Sequence, residues 1–340
     1  MDHEVSAVES LDRLIWAVIV LVAAFVVTAL LLSNFHLAWQ TFAAPALACS
    51  TLLAGGWFYS RWRADARLAS GLFSTAQLIA FAAVAAPLSY IAASANLPLC
   101  DAALDTMDRA LGFDWKALLA WMNTAPFLYR VLRPIYLSLT LQMTTVVLCL
   151  AFSGRHLWLR TYTLAFLCAA LVCIAISAAL PAAGAWPHYG LTASDSGILP
   201  TVSTSWPVFY GLRDGSFRVL VAVGSEGIIT FPSLHAALAV LVTAALWPVR
   251  YLRWAAVILN TAMLIATPID GSHYFSDVLA GVALAALSLL IAQIVAARVR
   301  AHPRRRGGSS RRAHAASSHS PAGDQLARAL FVPSDARQRR

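Results

Sequence analysis

Charge is what this sequence lacks most. Only 12% of its 340 residues are Asp, Glu, Lys or Arg, about half of the roughly one quarter that a soluble domain carries. So few charges cannot cover a soluble globule. The apolar residues, 59% of the chain, gather instead into runs of about 17 to 25, the length that spans the hydrocarbon of a bilayer. An ordinary soluble fold is excluded, and an all-α polytopic membrane protein is predicted.

Cysteine is scarce as well. Of Cys49, Cys100, Cys149, Cys168 and Cys173, four fall inside apolar runs, where Cys behaves as a small hydrophobe. Neither a disulfide framework nor a metal-ligand spacing is present, and no metal or cofactor is called for. A basic binding face is missing too, although the net charge is +9. From Arg298 onward there are 11 arginines and 2 acids, and the rest of the chain balances at 14 and 14. The charge belongs to a tail, so no nucleic-acid partner follows from it.

Apolar runs give eight expected spans, near Leu14–Leu32, Ala38–Tyr59, Leu72–Ala93, Ile135–Phe152, Tyr162–Leu180, Leu234–Val249, Trp254–Thr267 and Asp277–Ala297. The first is read as a retained span: its leader is acidic (Asp2, Glu4, Glu9, Asp12), whereas a signal peptide begins basic. Three regions follow. Residues 1–71 form an extra N-terminal transmembrane hairpin, 72–297 a catalytic membrane domain, and 298–340 a basic cytoplasmic tail. The tail is Arg-, Ser- and Ala-rich without an apolar period and is expected to be disordered. Either a topology anchor or attraction to anionic headgroups would account for its charge.

Short-loop arginines set the orientation. Arg61, Arg63 and Arg67 follow the second span, Arg155 and Arg160 the fourth, and Arg250 and Arg253 the sixth, while the turn after the first has neither Lys nor Arg. Both termini are therefore expected in the cytoplasm, in a multi-pass protein of the cell membrane. The long segments Ser94–Pro134 and Pro181–Thr230 then fall outside or in the periplasm. In the first, Leu104, Met107, Leu111 and Trp115 recur at helical spacing opposite Asp101, Asp105 and Asp108. This predicts an interfacial helix with its aspartates on a solvated face. The second is rich in Gly, Pro and Ser and is expected to cap a site.

Two short segments carry chemistry: Phe231-Pro232-Ser233-Leu234-His235, and His273 with Asp277 four residues on. Each opens a membrane helix, and Ser272 is a reasonable N-cap for the last one. A helix N-terminus offers N–H groups and a positive dipole end to a phosphate. His235 and His273 are 38 residues apart. At about 1.5 Å per residue that allows one crossing in and one back, which puts both at the same face. His273 and Asp277 share a helix face, so the carboxylate can hold one ring nitrogen and leave the other basic. An imidazole so oriented can attack phosphorus, and a second His can protonate the leaving alkoxide. Ser233 and nearby N–H groups would stabilise the phosphoryl oxygens. A His-His-Asp metal site is the rival by ligand type, but two of its three candidates form an orienting pair.

These residues resemble the last two motifs of the type 2 phosphatidic acid phosphatase superfamily, Pro-Ser-Gly-His and Ser-Arg-x5-His-x3-Asp. Pro232, Ser233 and His235 match the first, and His273 and Asp277 the second. The resemblance implies a six-helix core, metal-independent phosphohistidine chemistry, His273 as nucleophile, Asp277 as its orienter and His235 as the acid. Departures are informative. Leu234 replaces Gly, and Ala266-Thr267 stand in place of Ser-Arg. The first family motif, Lys-x6-Arg-Pro, is missing: Arg133-Pro134 mimics its end, but Pro126 occupies the Lys position and the pair lies far upstream. Phe-Pro-Ser-Leu-His-Ala-Ala is similar to the inositol phosphorylceramide synthase (aureobasidin-resistance) branch, which implies transfer of a phosphorylated headgroup between lipids. The expected partners are a lipid phosphate or phospholipid donor and a lipid or polyol alcohol acceptor, or water if the enzyme is a plain lipid phosphate phosphatase. Arg213 and Arg218 are the candidates for the lost phosphate-binding cations, beside Ser233. A non-catalytic lipid carrier or scaffold is the third reading, although a carrier needs no nucleophile–acid pair.

Overall fold

The computed structural model describes residues 2–192, 194–222 and 228–301; the tail from 302 lies outside the described residues. Thirteen helices occur among the described residues. The chain opens with α1 (Asp2–Leu32), α2 (Gln40–Arg61) and α3 (Ala66–Ala93). Asp65 starts α3 by accepting from the N–H groups of Arg67 and Leu68 at 3.0 and 3.1 Å, which satisfies two of the helix's orphan donors. On α2, Gly56 leaves room for Phe73, whose ring would lie 2.9 Å from a Cβ there.

Next come α4 (Asp101–Ala110), α5 (Trp115–Thr124), α6 (Pro126–Leu137) and α7 (Leu139–Phe152), with a 46° bend between the last two. Pro126 sits in the first turn of α6, where its missing N–H costs nothing. After α8 (His156–Ala179) the chain makes the single turn α9 (Ala185–His188), a 3₁₀ turn at Thr201–Ser205 and α10 (Trp206–Asp214). Strand β1 (His36–Leu37) pairs in parallel with β2 (Val219–Leu220), His36 opposite Val219. The chain then runs through α11 (Leu234–Leu246), α12 (Arg253–Asp270) and α13 (Phe275–Ala301).

Helices stand at all eight expected spans. Five of them, α1, α2, α3, α8 and α13, are long and apolar enough to cross a membrane alone, and the bent pair α6–α7 makes a sixth. The two that fall short are α11 and α12. With 13 residues, α11 is about 20 Å long, short of the roughly 30 Å hydrocarbon core. The start of α11 and the end of α12 are set by the motif segments.

Helix α8 is the centre of the bundle and packs against α1, α3, α7, α11 and α13. It is apolar all round, as a fully surrounded helix should be, and buries Leu159, Leu164, Leu167 and Cys173. The contacts are rich in alanine: Ala165, Ala169, Ala237, Ala245, Ala285 and Ala292 are all buried. Small residues let backbones approach where lipid removes most of the hydrophobic gain from helix association. One polar knot lies in this core. Arg160, 1% exposed, donates to the Asp12 carboxylate, to the Ser70 carbonyl and to the Ser74 hydroxyl. Gln77 donates to the same carboxylate at 2.7 Å. The knot ties α1 to α3 and α8.

Candidate active site

The start of α11 is pinned to the start of α13. Ser233 caps α11, its Oγ accepting from the Ala236 N–H at 3.3 Å, while its own N–H donates to the Asp277 carbonyl at 3.1 Å. The approach requires a glycine on α13, because a Cβ at Gly281 would lie 2.3 Å from the Ser233 carbonyl oxygen. Two segments far apart in sequence thus meet at backbone distance.

His273 lies in the turn between α12 and α13. Its Nδ1 is 3.2 Å from Asp277 Oδ2 and its Nε2 is 3.3 Å from Ser233 Oγ. Asp277 Oδ2 also accepts from the Tyr274 N–H at 2.9 Å, which fixes the carboxylate and hence the ring. This pattern assigns the proton to Nδ1 and the lone pair to Nε2, on the side of Ser233. Burial pushes the His273 imidazole down to about 4, with the Thr230 backbone opposing. The neutral ring so favoured presents Nε2 to Ser233 Oγ. On α11, His235 is partly buried and stacks on Tyr136, with ring centroids 4.2 Å apart. The Tyr136 hydroxyl lies 3.3 Å from its Nδ1, which leaves the other nitrogen to the site.

The aspartates of α4 overturn the expectation of a solvated face. Asp101 and Asp108 are 4% and 1% exposed. Asp108 accepts from the N–H groups of Phe275 and Ser276 at 2.6 and 2.8 Å and so caps α13 from 167 residues away. Asp101 accepts from the N–H groups of Ala183 and Gly184, both at 2.9 Å, and from the Tyr274 hydroxyl at 3.1 Å. Only Asp105 keeps partial exposure, paired with Arg109 at 3.0 Å. The apolar stripe divides accordingly: Leu104 and Trp115 are buried, whereas Met107 and Leu111 are 49% and 55% exposed.

Ser272 is not the cap of α13 either. Its Oγ accepts from the Trp186 N–H and its carbonyl from the Ala185 N–H, both at 2.8 Å. Its backbone is left-handed, at φ 54°. Gly184 makes this contact possible: its φ is +103°, and a Cβ there would stand 2.7 Å from the Ser272 carbonyl. The Pro181–Thr230 segment therefore rests directly on the histidine turn. At the start of α13 the N–H groups of Tyr274, Phe275 and Ser276 are taken by Asp277 and Asp108.

Residues 102–291 match the model of the PAP2 superfamily, a stretch that takes in α4 from its second residue on and includes Ser233, His235, His273 and Asp277. The chain belongs to the PAP2 superfamily. No curated protein and no solved structure matches it. Membership makes the helical bundle an all-α membrane fold consistent with phosphatase or phosphotransferase activity on lipid phosphates.

Both predicted cations hydrogen-bond to backbone carbonyls. Arg213 donates to the Leu97 carbonyl at 2.7 Å and sits over the Phe209 ring, while Arg218 donates to the Leu212 carbonyl at 2.6 Å and sits over Phe35. Arg133 is placed differently. Helix α6 packs along α12, and Arg133 Nη1 lies 3.1 Å from the Tyr129 hydroxyl, which itself lies 3.2 Å from Asp270. One turn further along α6, Tyr136 holds His235. Helix packing thus sets Arg133 two hydrogen bonds from Asp270, three residues before His273.

Proposed function

We propose that this PAP2 superfamily protein transfers a phosphoryl or phospho-headgroup from a lipid donor to a lipid or polyol alcohol, through a phosphohistidine on His273 at the outer face of the membrane. The observation that carries this reading is the placement of His273 between Asp277 on Nδ1 and Ser233 beside Nε2. Nε2 attacks phosphorus as the donor P–O bond breaks. The departing alkoxide takes a proton from His235, leaving donor alcohol and phosphorylated His273. An acceptor alcohol then attacks phosphorus as the P–N bond breaks and gives its proton back to His235. No metal is required by these steps. Asp277, supported by Tyr274, offsets the positive charge on the substituted imidazole.

Ser233 and the N–H groups that open α11 supply neutral donors to the phosphoryl oxygens, and Arg133 is the cation we place with them. Arg213 and Arg218 each hold a backbone carbonyl with one nitrogen, and among the described residues Arg213 Nη1 is buried without a partner. Transfer is favoured over hydrolysis by the apolar cover. Trp115, Trp186, Tyr136, Tyr274 and Ile198 are buried in one cluster around the end of α12, a setting that holds an alcohol in line better than it admits bulk water. The test is product analysis with a phosphate-labelled short-chain phosphatidic acid, with and without added hydroxyl lipid or polyol. The proposal expects labelled acceptor to dominate when an acceptor is present. Free phosphate at full rate, unaffected by any acceptor, would establish a phosphatase instead.

A further inference from the structure

The mechanism leaves one buried acid without a task. Asp270, the last residue of α12, is three residues before His273 and has no exposed surface. Its Oδ1 is met by the Tyr129 hydroxyl at 3.2 Å and the Thr201 hydroxyl at 3.3 Å. Tyr129 has a single proton, and the Leu199 carbonyl lies equally close to it at 3.2 Å, so Oδ1 shares that donor. Among the described residues no donor meets Oδ2, which is fully buried. A buried carboxylate oxygen left unmatched is costly, more so than a neutral one. The chain nevertheless holds it in place from three elements, α6, α12 and the 3₁₀ turn.

We propose that Asp270, Tyr129 and Thr201 form the subsite that receives the hydroxyl group of the accepting alcohol, Oδ2 taking the hydroxyl's hydrogen bond. The inference rests on the transfer reading above and names the chemistry of its second substrate. The carboxylate repels a second phosphate. It would accept from an ammonium as readily as from a hydroxyl, with Arg133, which donates to the same Tyr129 hydroxyl at 3.1 Å, offsetting part of that attraction; the hydroxyl is chosen because the acceptor of the transfer reading is an alcohol. The location suits the step. Tyr129 and Tyr136 lie two turns apart on α6, and they hold Asp270 and His235 respectively. One helix face therefore links the proposed hydroxyl site to the group that exchanges the alcohol's proton.

The test uses the full-length protein, phosphate-labelled short-chain phosphatidic acid as donor and glycerol as acceptor. The quantity read is the ratio of labelled glycerol phosphate to free phosphate. In Asp270→Asn the ratio should fall about tenfold or more, the scale of losing a hydrogen bond to a charged group. The thermal midpoint without glycerol should stay level or rise, because an orphaned buried anion has been removed. A purely structural role predicts the reverse: a lower midpoint with the ratio unchanged, and either result overturns the subsite. A wild type that transfers while the variant keeps the same ratio ends the subsite alone. A wild type that makes only free phosphate with every acceptor ends the transfer reading, and the subsite with it.

Discussion

Each ring nitrogen of His273 has its own neighbour, and the proposed chemistry rests on that division. On His235, Tyr136 stands at Nδ1, and in the proposed mechanism the other nitrogen carries a proton to and from the substrate alcohols. His235→Ala should lower turnover of an alkyl lipid phosphate by about 10² to 10⁴-fold, the range of general acid–base catalysis. An aryl phosphate ester, whose leaving group needs no proton, should recover most of that loss. Equal losses on both substrates would remove His235 from the acid role. Arg133→Ala should lower kcat/KM by about 10²-fold, as for the loss of one electrostatic donor, and more than Arg213→Ala or Arg218→Ala does. A neutral Arg133→Ala with a crippled Arg213→Ala would return the phosphate cation to the segment before Pro232. His235, His273 and Asp277 were legible because their spacing encodes helix starts and a shared face. Arg133, Tyr136 and Asp270 were not, because their place depends on α6 lying along α12, and no local pattern records that.

The elements around the site are held by carboxylates where a polar stripe suggested water. An aspartate that faces solvent and one that caps a distant helix look alike in sequence, since both sit opposite the apolar positions. What separates them is the partner: α13 opens with no local side chain able to satisfy Phe275 and Ser276, and Asp108 does so from α4. Ser272 misled for the same reason, because its capping propensity is local and its actual partners, Ala185 and Trp186, come from a different segment. Asp108→Ala should uncap α13 and destabilise the protein by about 1–3 kcal/mol per stranded donor. Thermal unfolding in detergent should show the drop, with a larger loss of phosphoenzyme than the unfolded fraction explains, because the turn bearing His273 loosens. Normal stability and activity in Asp108→Ala would contradict the clamp.

At the scale of the whole molecule, a helix stands at each of the eight apolar runs, and five of these, or six with the bent pair, are long and apolar enough to cross a membrane. Hydropathy says little about where a motif stops a helix, and α11 is cut to 13 residues by the motif that opens it; α12, with 18 residues, is long enough but less apolar, carrying Arg253, Asn260 and Asp270. The Asp12–Arg160 knot was also out of reach: Arg160 counts as a loop arginine in the orientation rule, yet its guanidinium is buried against Asp12, Ser70 and Ser74. The proposed orientation, with both termini in the cytoplasm, rests on the remaining short-loop arginines. Single cysteines at Ser196 and Ser317, in a background without the native five, should react with an impermeant thiol reagent from opposite sides of the membrane. Labelling of both from the cytoplasmic side would place the site inside.

The central claim is that His273 carries the phosphoryl group, and rapid acid-free quenching of enzyme mixed with phosphate-labelled lipid tests it most directly. The wild type should retain a protein-bound label that survives alkali and is released by acid, the signature of a P–N bond. His273→Ala should retain none, while His235→Ala should still form it from a substrate with a good leaving group. Label of the same kind and amount on His273→Ala would contradict the account.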